Sequence, residues 1–374
     1  MASPVFYTVT NNRYYAGTVA TLSSIRRFYR DEPIWVFPEC RNSLTKAQSE
    51  HLRSLENVRL VPAAELTVGE VKEAWQMKAH SACFLAGMGA ECIIQVDSDA
   101  VLCARLDGIV EQVTSQRLPA GGKDGNDKTY DLVKHAPYYD LCQTTAKDLR
   151  ATTLPYISTS ILFLPVPEID EILQLWSKGV DEAEFGPKER KRRLYTGYSD
   201  QGIFNAILYF KGITPIVLDN NLVSQHWVHG RDKIESRNGE FWNNGKPQIA
   251  FHSVGHAPKF WMPQYVDFMA KSGNLEAVYQ YWLSNLFDGP CGLLRTAPLA
   301  LLEQRQGEYF PGGPAAHLFR EYRVRNGFAS DMISDHAPQA GLHHGNGNTS
   351  AATVAASFAP APASPAPAPL QRSP

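Results

Sequence analysis

The chain has 374 residues, of which 44% are hydrophobic and 20% are charged, so it is long enough to bury a large core in one domain, with or without an appendage. Its formal net charge of −2 gives no support for wholesale nucleic-acid binding, and we expect no nucleic-acid partner. No apolar run approaches the ~20 residues of a membrane span, and the N-terminus lacks the basic-then-apolar pattern of a signal peptide, so we expect neither segment.

The six cysteines show no C-x-x-C pairing and no regular spacing. Cys92 and Cys103 lie in apolar surroundings, and we interpret them as small core residues. This pattern of cysteine use predicts a reducing, cytoplasmic setting.

Strands and helices are predicted to alternate along the first hundred residues. Runs of β-branched and aromatic residues predict the strands, and apolar residues at helical spacing predict the helices. In chain order these are a strand over 4–10, a helix over 15–29, a strand over 34–37, a helix over 43–55 capped by Ser43, a strand over 58–61, a helix over 71–88 and a strand that contains Ile93, Ile94 and Val96. This rhythm predicts an α/β fold with an open, largely parallel sheet flanked by helices and with ligands at the carboxyl ends of the strands.

The second half of the chain is less regular. Residues 118–154 are predicted to be irregular, with a Gly-rich loop over 120–127. There follow a strand over 160–166, a helix over 168–178, a helix capped by Ser199, a strand over 213–218 and a short strand over 248–252. We predict one α/β domain over 1–262, a helical extension over 263–336, and a disordered Ala/Pro-rich tail over 337–374 that buries too little apolar surface to fold.

Two aspartates follow directly on a strongly apolar strand. Because residues i and i+2 of an extended chain point to the same side, Asp97 and Asp99 present their carboxylates together, with Ser98 between them. With no Lys or Arg nearby the two charges would repel each other, which favours a bound divalent cation of the Mg²⁺ or Mn²⁺ type. A solvated turn is the alternative interpretation of the same triplet.

Other polar residues near predicted strand ends also have two interpretations. Tyr14 either stacks on a nucleobase or packs under the following helix. Asp124 and Asp127 either bind sugar hydroxyls or are solvated turn residues. His252 either ligates a metal or is an ordinary core histidine.

Two further segments also have two interpretations each. Asp200 and Gln201, in the first turn of the helix capped by Ser199, either serve that helix end or project into a cleft. The basic run Lys188–Arg193 is either a solvated surface or a contact for an anionic or lipid-linked acceptor, which would make it a peripheral membrane contact.

Four segments, in this order, resemble the motifs of glycosyltransferase family 8, a GT-A-fold family that includes glycogenin and bacterial lipopolysaccharide glycosyltransferases. They are TNNRYYAG at 10–17, VDSD at 96–99, DQGIFN at 200–205 and HSVGHAPKFW at 252–261. The resemblance spans residues 4–262 and implies that the α/β sheet is a GT-A-type nucleotide-binding sheet. Two departures are that Ser158-Thr159-Ser160 stands where the family has Asn-Ser-Gly, and that the segment before Lys259 is one residue longer.

The resemblance also implies roles for individual residues. Asp97, Asp99 and His252 would hold Mn²⁺ or Mg²⁺, and Gln201 and Asp200 would be the catalytic residues. The residues expected to bind the nucleotide and the donor sugar are Thr10, Asn12, Tyr14, Lys78, Asp97, Ser98, Asp124, Ser158, Gly255 and Lys259.

The expected function is metal-dependent transfer of a hexose from a nucleotide sugar, with UDP as the expected nucleotide, to a hydroxyl of a saccharide, a lipid-linked glycan or a protein. The resemblance implies retention of anomeric configuration, with Gln201 beside an oxocarbenium-like centre. Two alternatives remain open: an inverting enzyme in which Asp200 is the base, and a non-catalytic scaffold that binds sugar nucleotides.

Overall fold

The structure of the protein is a computed structural model, and it describes these residues: 4–40, 42–62, 65–66, 73–124, 128–129, 141–142, 153–166, 168–185, 199–219, 223–224, 234–237, 240–253, 259, 281–282 and 284–304. All of them belong to one structural unit, Met1–Phe328.

Short strands and longer helices alternate through the described chain. The strands are β1 Val5–Thr10, β2 Ile34–Pro38, β3 Val58–Leu60, β4 Cys92–Val96, β5 Ala100–Leu102, β6 Ala120–Lys123, β7 Lys128–Thr129, β8 Thr153–Leu154, β9 Ile157–Pro165, β10 Ile216–Leu218, β11 Val223–Ser224, β12 Ile234–Arg237, β13 Glu240–Asn243, β14 Lys246–Pro247 and β15 Ala250–His252. The α-helices are α1 Tyr15–Phe28, α2 Lys46–Ser54, α3 Ala74–Gly87, α4 Asp107–Gln116, α5 Asp170–Phe185, α6 Ser199–Phe210, α7 Leu293–Thr296 and α8 Leu299–Gln304. A 3₁₀ turn over Asn12–Tyr14 precedes α1, and a π-helical turn covers Ser284–Asp288.

A seven-stranded sheet with the order β10-β6-β9-β4-β1-β2-β3 forms the centre of the fold. Strands β1 to β4 pair in parallel, and β10 pairs in parallel with β6. Only β9 runs the other way among these seven strands, antiparallel to both β4 and β6. The carboxyl ends of the six parallel strands therefore lie at the same edge of the sheet as the beginning of β9.

Beside this sheet, a three-stranded sheet of order β11-β15-β5 carries the chain that leaves the Asp-x-Asp triplet. Strand β5 is antiparallel to β15, and the register places His252 opposite Ala100. The backbone N–H of Ser253 donates to the carbonyl of Asp99 at 2.9 Å. This pairing brings two segments more than 150 positions apart in the sequence to the same place.

Helices α3, α5 and α6 contribute to a large apolar core with the central sheet. Trp176 of α5 is fully buried and packs on Phe204 of α6 with ring centroids 4.8 Å apart. Burial of two such aromatic side chains is a large hydrophobic contribution, which fixes α6 beneath the sheet edge. The first residues of α6 are thereby held next to the start of β9.

The predicted α/β class with a largely parallel sheet is confirmed, and Cys92 and Cys103 are buried as predicted. The differences from the prediction include a helix, α4, that was not predicted, and three further details. Helix α2 is capped by Thr45 and not by Ser43, since Thr45 and Gln48 form a reciprocal capping box. Helix α5 continues seven positions beyond the predicted 178, to Phe185. Residues 120–123 form strand β6 where we predicted a Gly-rich loop.

The glycines of β6 explain that last difference. A Cβ atom placed on Gly121 would lie 2.8 Å from the carbonyl oxygen of Ser158 in the neighbouring strand, closer than real Cβ atoms approach. Glycine is needed here for close strand approach rather than for a turn. Composition alone cannot separate these two uses of glycine.

Several predicted features lie outside the described residues: the basic run Lys188–Arg193, Asp127, Gly255 and the tail over 337–374. Of the predicted helical extension, the described part includes the π-helical turn, α7 and α8. The domain limits at 262 and 336 remain predictions. Among the described helices, none combines the length and apolar character that crossing a bilayer requires.

Gly121→Val should lower the free energy of unfolding by about 1–3 kcal/mol, because the added side chain has to displace the backbone of β9. Urea denaturation at neutral pH measures this. Gly108→Ala in α4 is the matched control, because no atom lies within 4 Å of the added Cβ and alanine favours a helix. Equal stability of Gly121→Val and the unmodified protein would contradict the close approach.

Candidate active site at the carboxyl edge of the sheet

Three neighbouring strands bring polar side chains to one edge of the central sheet. Asp97 follows β4, Asp124 follows β6, and Thr159 lies near the start of β9 between them. Two backbone bonds tie these ends together: the N–H of Asp97 donates to Ser160 at 2.8 Å, and the N–H of Asp124 donates to Tyr156 at 2.9 Å. The edge is thus a rigid platform for side chains.

Asp97, Asp99 and His252 converge, with one ligand atom from each lying within 4.8 Å of the others. The Nε2 atom of His252 lies 3.1 Å from Oδ1 of Asp99 and 3.6 Å from Oδ2 of Asp97. Carboxylate oxygens and an imidazole nitrogen suit Mn²⁺ and are compatible with Mg²⁺. Among the described residues, Nδ1 of His252 has no hydrogen-bond partner, so Nε2 is the nitrogen that faces the carboxylates. The donor set fits a divalent cation.

Two lysines also lie at these carboxylates, which corrects the premise that the aspartates have no cationic neighbour. The Nζ atom of Lys78 lies 2.7 Å from Oδ1 of Asp97 and 3.1 Å from Oδ2 of Asp200. Lys259 donates to Oδ2 of Asp99, and at 2.7 Å to the carbonyl of Ser253. Burial alone lowers the pKa of Lys78, but Asp200 and Asp97 raise it above its ordinary value, so this ammonium group stays charged.

The surroundings shift the pKa values of Asp97 and Asp99 in opposite directions. Burial is the largest influence on both carboxyl groups and by itself raises their pKa. For Asp97 burial prevails over Lys78, and its pKa lies above the ordinary value. For Asp99, His252 and Lys259 together outweigh burial, and its pKa lies below the ordinary value. The surroundings therefore favour the charge of Asp99 and disfavour that of Asp97.

Gln201 is held from both ends of its amide. Its Oε1 accepts the backbone N–H of Thr159 at 3.1 Å, and its Nε2 donates to Oδ2 of Asp124 at 2.5 Å. The orientation of the amide follows from chemistry, because a backbone N–H can only donate and an ionised carboxylate can only accept. Of the two interpretations of Gln201, a side chain at the sheet edge is the one observed, but it is 8% exposed and held by two hydrogen bonds.

Asp200 is also engaged. Its Oδ2 accepts the hydroxyl of Thr159 at 3.0 Å and lies beside Lys78, and its backbone carbonyl accepts Trp176 Nε1–H at 2.9 Å. One further residue, Asn205, braces this helix start, since its amide binds both the N–H and the carbonyl of Ile157 and the carbonyl of Gln201. The two predicted catalytic residues therefore sit on a braced turn.

The first turn of the chain reaches the same edge. Tyr14 is partly exposed, and Nζ of Lys259 lies 5.5 Å from the centre of its ring. Tyr15, in contrast, is a core residue whose hydroxyl bonds Nδ1 of His51 at 2.5 Å. Asn12 accepts a hydrogen bond from Gln48 at 3.1 Å, and the buried hydroxyl of Thr10 lies 2.5 Å from that of Thr18. Of the two tyrosines of this turn, Tyr14 is therefore the one that is partly exposed.

The remaining predicted donor-binding residues are buried at this edge. Ser98 is 7% exposed between the two aspartates. Ser158 is 3% exposed, and its hydroxyl donates to Oγ of Ser160 at 2.9 Å. The donor-binding and catalytic roles assigned to all these residues remain predictions.

Sequence analysis gave no site role to Thr159, Asn205 or Gln95, although Thr159 and Asn205 lie within two of the segments compared with the family. Gln95 donates from Nε2 to Oδ1 of Asp97 at 2.8 Å. Its signal was present, because residue i−2 of a strand lies on the same face as residue i. Thr159 gave no such signal, since it meets Asp200 and Gln201 only through the packing of α6.

Comparisons with known proteins were made at three levels. No family model matches the chain, and no curated protein matches it. Among solved structures, the chain is similar to the bifunctional glycosyltransferase WbbM in its apo form, at 14% identity and a TM-score of 0.46. The match covers 77% of this chain and 50% of WbbM, so the chain spans half of the length of that protein.

Two other solved glycosyltransferases are similar at comparable levels. The galactosyltransferase LgtC, in complex with donor and acceptor sugar analogues, has 13% identity and a TM-score of 0.43, with 75% of this chain and 100% of LgtC covered. Mouse xyloside xylosyltransferase 1, in its apo form, has 13% identity and a TM-score of 0.41, with 69% and 99% covered. At these values the similarity concerns the fold alone.

Asp99→Asn should lower the free energy of unfolding in EDTA by about 3 kcal/mol, because it leaves Lys259 buried without its counter-charge. Asp97→Asn is the matched comparison. It should be neutral within about 1 kcal/mol or stabilising, because Lys78 keeps Asp200 and one of two repelling charges is removed. Urea titration of both variants measures the difference, and a larger loss for Asp97→Asn would contradict this charge balance.

Proposed function

We propose that the protein is a metal-dependent glycosyltransferase that moves a hexose from a UDP-linked sugar to an acceptor hydroxyl with retention of configuration. One observation carries the proposal. The ligand atoms of Asp97, Asp99 and His252 meet at the carboxyl edge of a largely parallel sheet, with the ammonium groups of Lys78 and Lys259 beside them. Ligands of α/β proteins bind at such an edge.

This set of charges suits a nucleoside diphosphate as leaving group. Negative charge grows on the leaving oxygen as the glycosidic bond breaks, and fixed cationic groups stabilise it most when they are oriented in advance. Lys259 is such a group, because it is 5% exposed and held by Asp99 and Ser253. A divalent cation held by the two aspartates and His252 would supply Lewis-acid stabilisation of the diphosphate.

The partial exposure of Tyr14 at this edge supports binding of the nucleobase. A base stacked on an aromatic ring gains about 1–3 kcal/mol. Lys259 lies 5.5 Å from the centre of the Tyr14 ring, so in this proposal a single lysine adjoins both the base and the diphosphate. Asp124, beyond Gln201, would then adjoin the sugar.

The contacts of Asp200 and Gln201 favour retention over inversion by a general base. An inverting base has to receive a proton from the acceptor, whereas Oδ2 of Asp200 already lies beside Lys78 and accepts from Thr159. Gln201 is neutral and oriented by Thr159 and Asp124. We assign it the stabilisation of the oxocarbenium-like centre rather than formation of a stable covalent intermediate.

A screen of nucleotide sugars with Mn²⁺, reading released nucleoside diphosphate, tests the activity directly. We expect consumption of a UDP-hexose, accelerated by a saccharide, a lipid-linked glycan or a peptide that bears the acceptor hydroxyl. Tight binding of UDP without turnover of any donor, with or without acceptor, would instead support the non-catalytic scaffold.

Removal of the metal should weaken UDP binding. In calorimetry with Mn²⁺ present, EDTA should lower UDP affinity sharply, and added Mn²⁺ should restore it. His252→Gln should lower Mn²⁺ affinity and turnover by about tenfold or more, since it removes a ligand of the site. His80→Gln is the control, because His80 is equally buried but bonds Asp181 and Ser177 outside the site. UDP affinity that is unchanged in EDTA would exclude the metal role.

Gln201→Ala should lower kcat by about 10²-fold while KM for the donor changes little, which is the pattern of a contact made mainly in the transition state. Asp200→Asn is the comparison, because the asparagine keeps an oxygen that can accept from Lys78 and Thr159. NMR of the first-formed glycoside reports stereochemistry independently. An inverted product, with Asp200→Asn inactive and Gln201→Ala near full activity, would establish the inverting alternative.

A further inference from the structure

A buried amide lies behind the proposed metal site. Gln95 is fully buried in β4, in register with Tyr7 of β1 and Leu162 of β9. The hydroxyl of Tyr7 bonds the backbone carbonyl of Lys78 at 2.9 Å, so the helix that carries Lys78 is tied to the same part of the sheet. An amide in the middle of a central strand is costly unless it is hydrogen-bonded.

The two oxygens of Asp97 have different surroundings. Its Oδ1 receives both Nε2 of Gln95 at 2.8 Å and Nζ of Lys78 at 2.7 Å. Its Oδ2 is the oxygen nearest to Nε2 of His252, at 3.6 Å. Two donors on one oxygen restrict rotation of the carboxylate and leave the other oxygen facing His252 and Asp99.

We propose that Gln95 is a positioning residue that fixes the rotation of Asp97 so that Oδ2 faces the metal position. The inference rests on the proposed metal site, and it concerns a residue that acts through Asp97 without touching the metal or the substrate. Supporting groups of this kind orient metal ligands, and their loss commonly lowers metal affinity by about 10–100-fold.

The oxygen of the same amide indicates that Gln95 has a functional role and is not present only to stabilise the strand. Among the described residues, Oε1 of Gln95 is buried without a hydrogen-bond partner. A buried acceptor without a partner destabilises a fold, so an apolar residue of the same size at this position would give a more stable protein. The orphaned acceptor is explained if the Nε2 donor is retained for Asp97.

Lys78 does not make Gln95 redundant. Its Nζ is shared between Asp97 and Asp200, so its position is set by two carboxylates and not by Asp97 alone. Gln95 lies in the central strand, and among the described residues its side chain bonds only Asp97. The strand-bound amide is therefore the fixed support of Oδ1, and Lys78 is the shared one.

The test measures Mn²⁺ binding to the full chain by electron paramagnetic resonance, in the absence of nucleotide. Gln95→Met keeps the size of the side chain and removes the donor. Gln95→His keeps an N–H close to the position of Nε2. Thr8→Val in β1 is the matched control. Like Gln95→Met it removes a buried polar atom without a partner among the described residues, here a hydroxyl, but the side chain of Thr8 forms no hydrogen bond with Asp97, Asp99 or His252.

We expect Gln95→Met to weaken Mn²⁺ binding by about tenfold or more, Gln95→His to recover part of that loss, and Thr8→Val to bind as the unmodified protein does. The unfolding midpoint in EDTA should not fall for Thr8→Val, which removes an unpaired buried hydroxyl. For Gln95→Met it should change little, because loss of the unpaired Oε1 offsets loss of the bond from Nε2 to Asp97. Equal Mn²⁺ affinity of Gln95→Met, Gln95→His and the unmodified chain overturns the positioning role alone. Absence of Mn²⁺ binding in the unmodified chain overturns the metal site, and this inference with it.

Discussion

The candidate site depends on how buried carboxylates are balanced at one edge of the sheet. Asp97, Asp99 and Asp200 lie close together, and water is too limited there to screen their repulsion. Lys78 bridges the first and the third, and Lys259 pairs with the second. The balance is incomplete, because the fold still raises the pKa of Asp97, and an added cation would favour the charged form that burial disfavours there.

The antiparallel strand β9 joins the two halves of this site. Its reversed direction brings the backbone of Thr159 to the edge where β4 and β6 end, so that one residue contacts both Asp200 and Gln201. Close approach of β9 to β6 requires Gly121. Gly121 therefore helps to set the distance between Asp97, which follows β4 and belongs to the proposed metal site, and Asp124, which follows β6.

The site also contains buried polar and charged groups that lower the stability of the fold and that a sheet edge without a ligand would not need. His252 Nδ1 and Gln95 Oε1 are buried without partners among the described residues, and two lysines are held in the interior by carboxylates. Buried ion pairs seldom stabilise a protein more than apolar packing of the same volume does. Polar groups retained at such cost are expected where a ligand uses them, which is consistent with the transferase proposed here.

The sequence by itself determined the alternation of elements, the α/β class, and the Asp97-Ser98-Asp99 triplet at a strand end, because these follow from local periodicity and from the alternation of side chains along a strand. The residues themselves also raised His252 and Gln201 as candidates, and the family resemblance assigned specific roles to them and to Lys259. Only the tertiary structure decided their partners. The bonds of Lys78 to Asp200, of Lys259 to Asp99 and of Gln201 to Asp124 join residues 77 to 160 positions apart, and no local pattern encodes which lysine meets which carboxylate. The Gly-rich run at 120–123 became a strand for the same reason, since the neighbour that requires glycine there is supplied by β9.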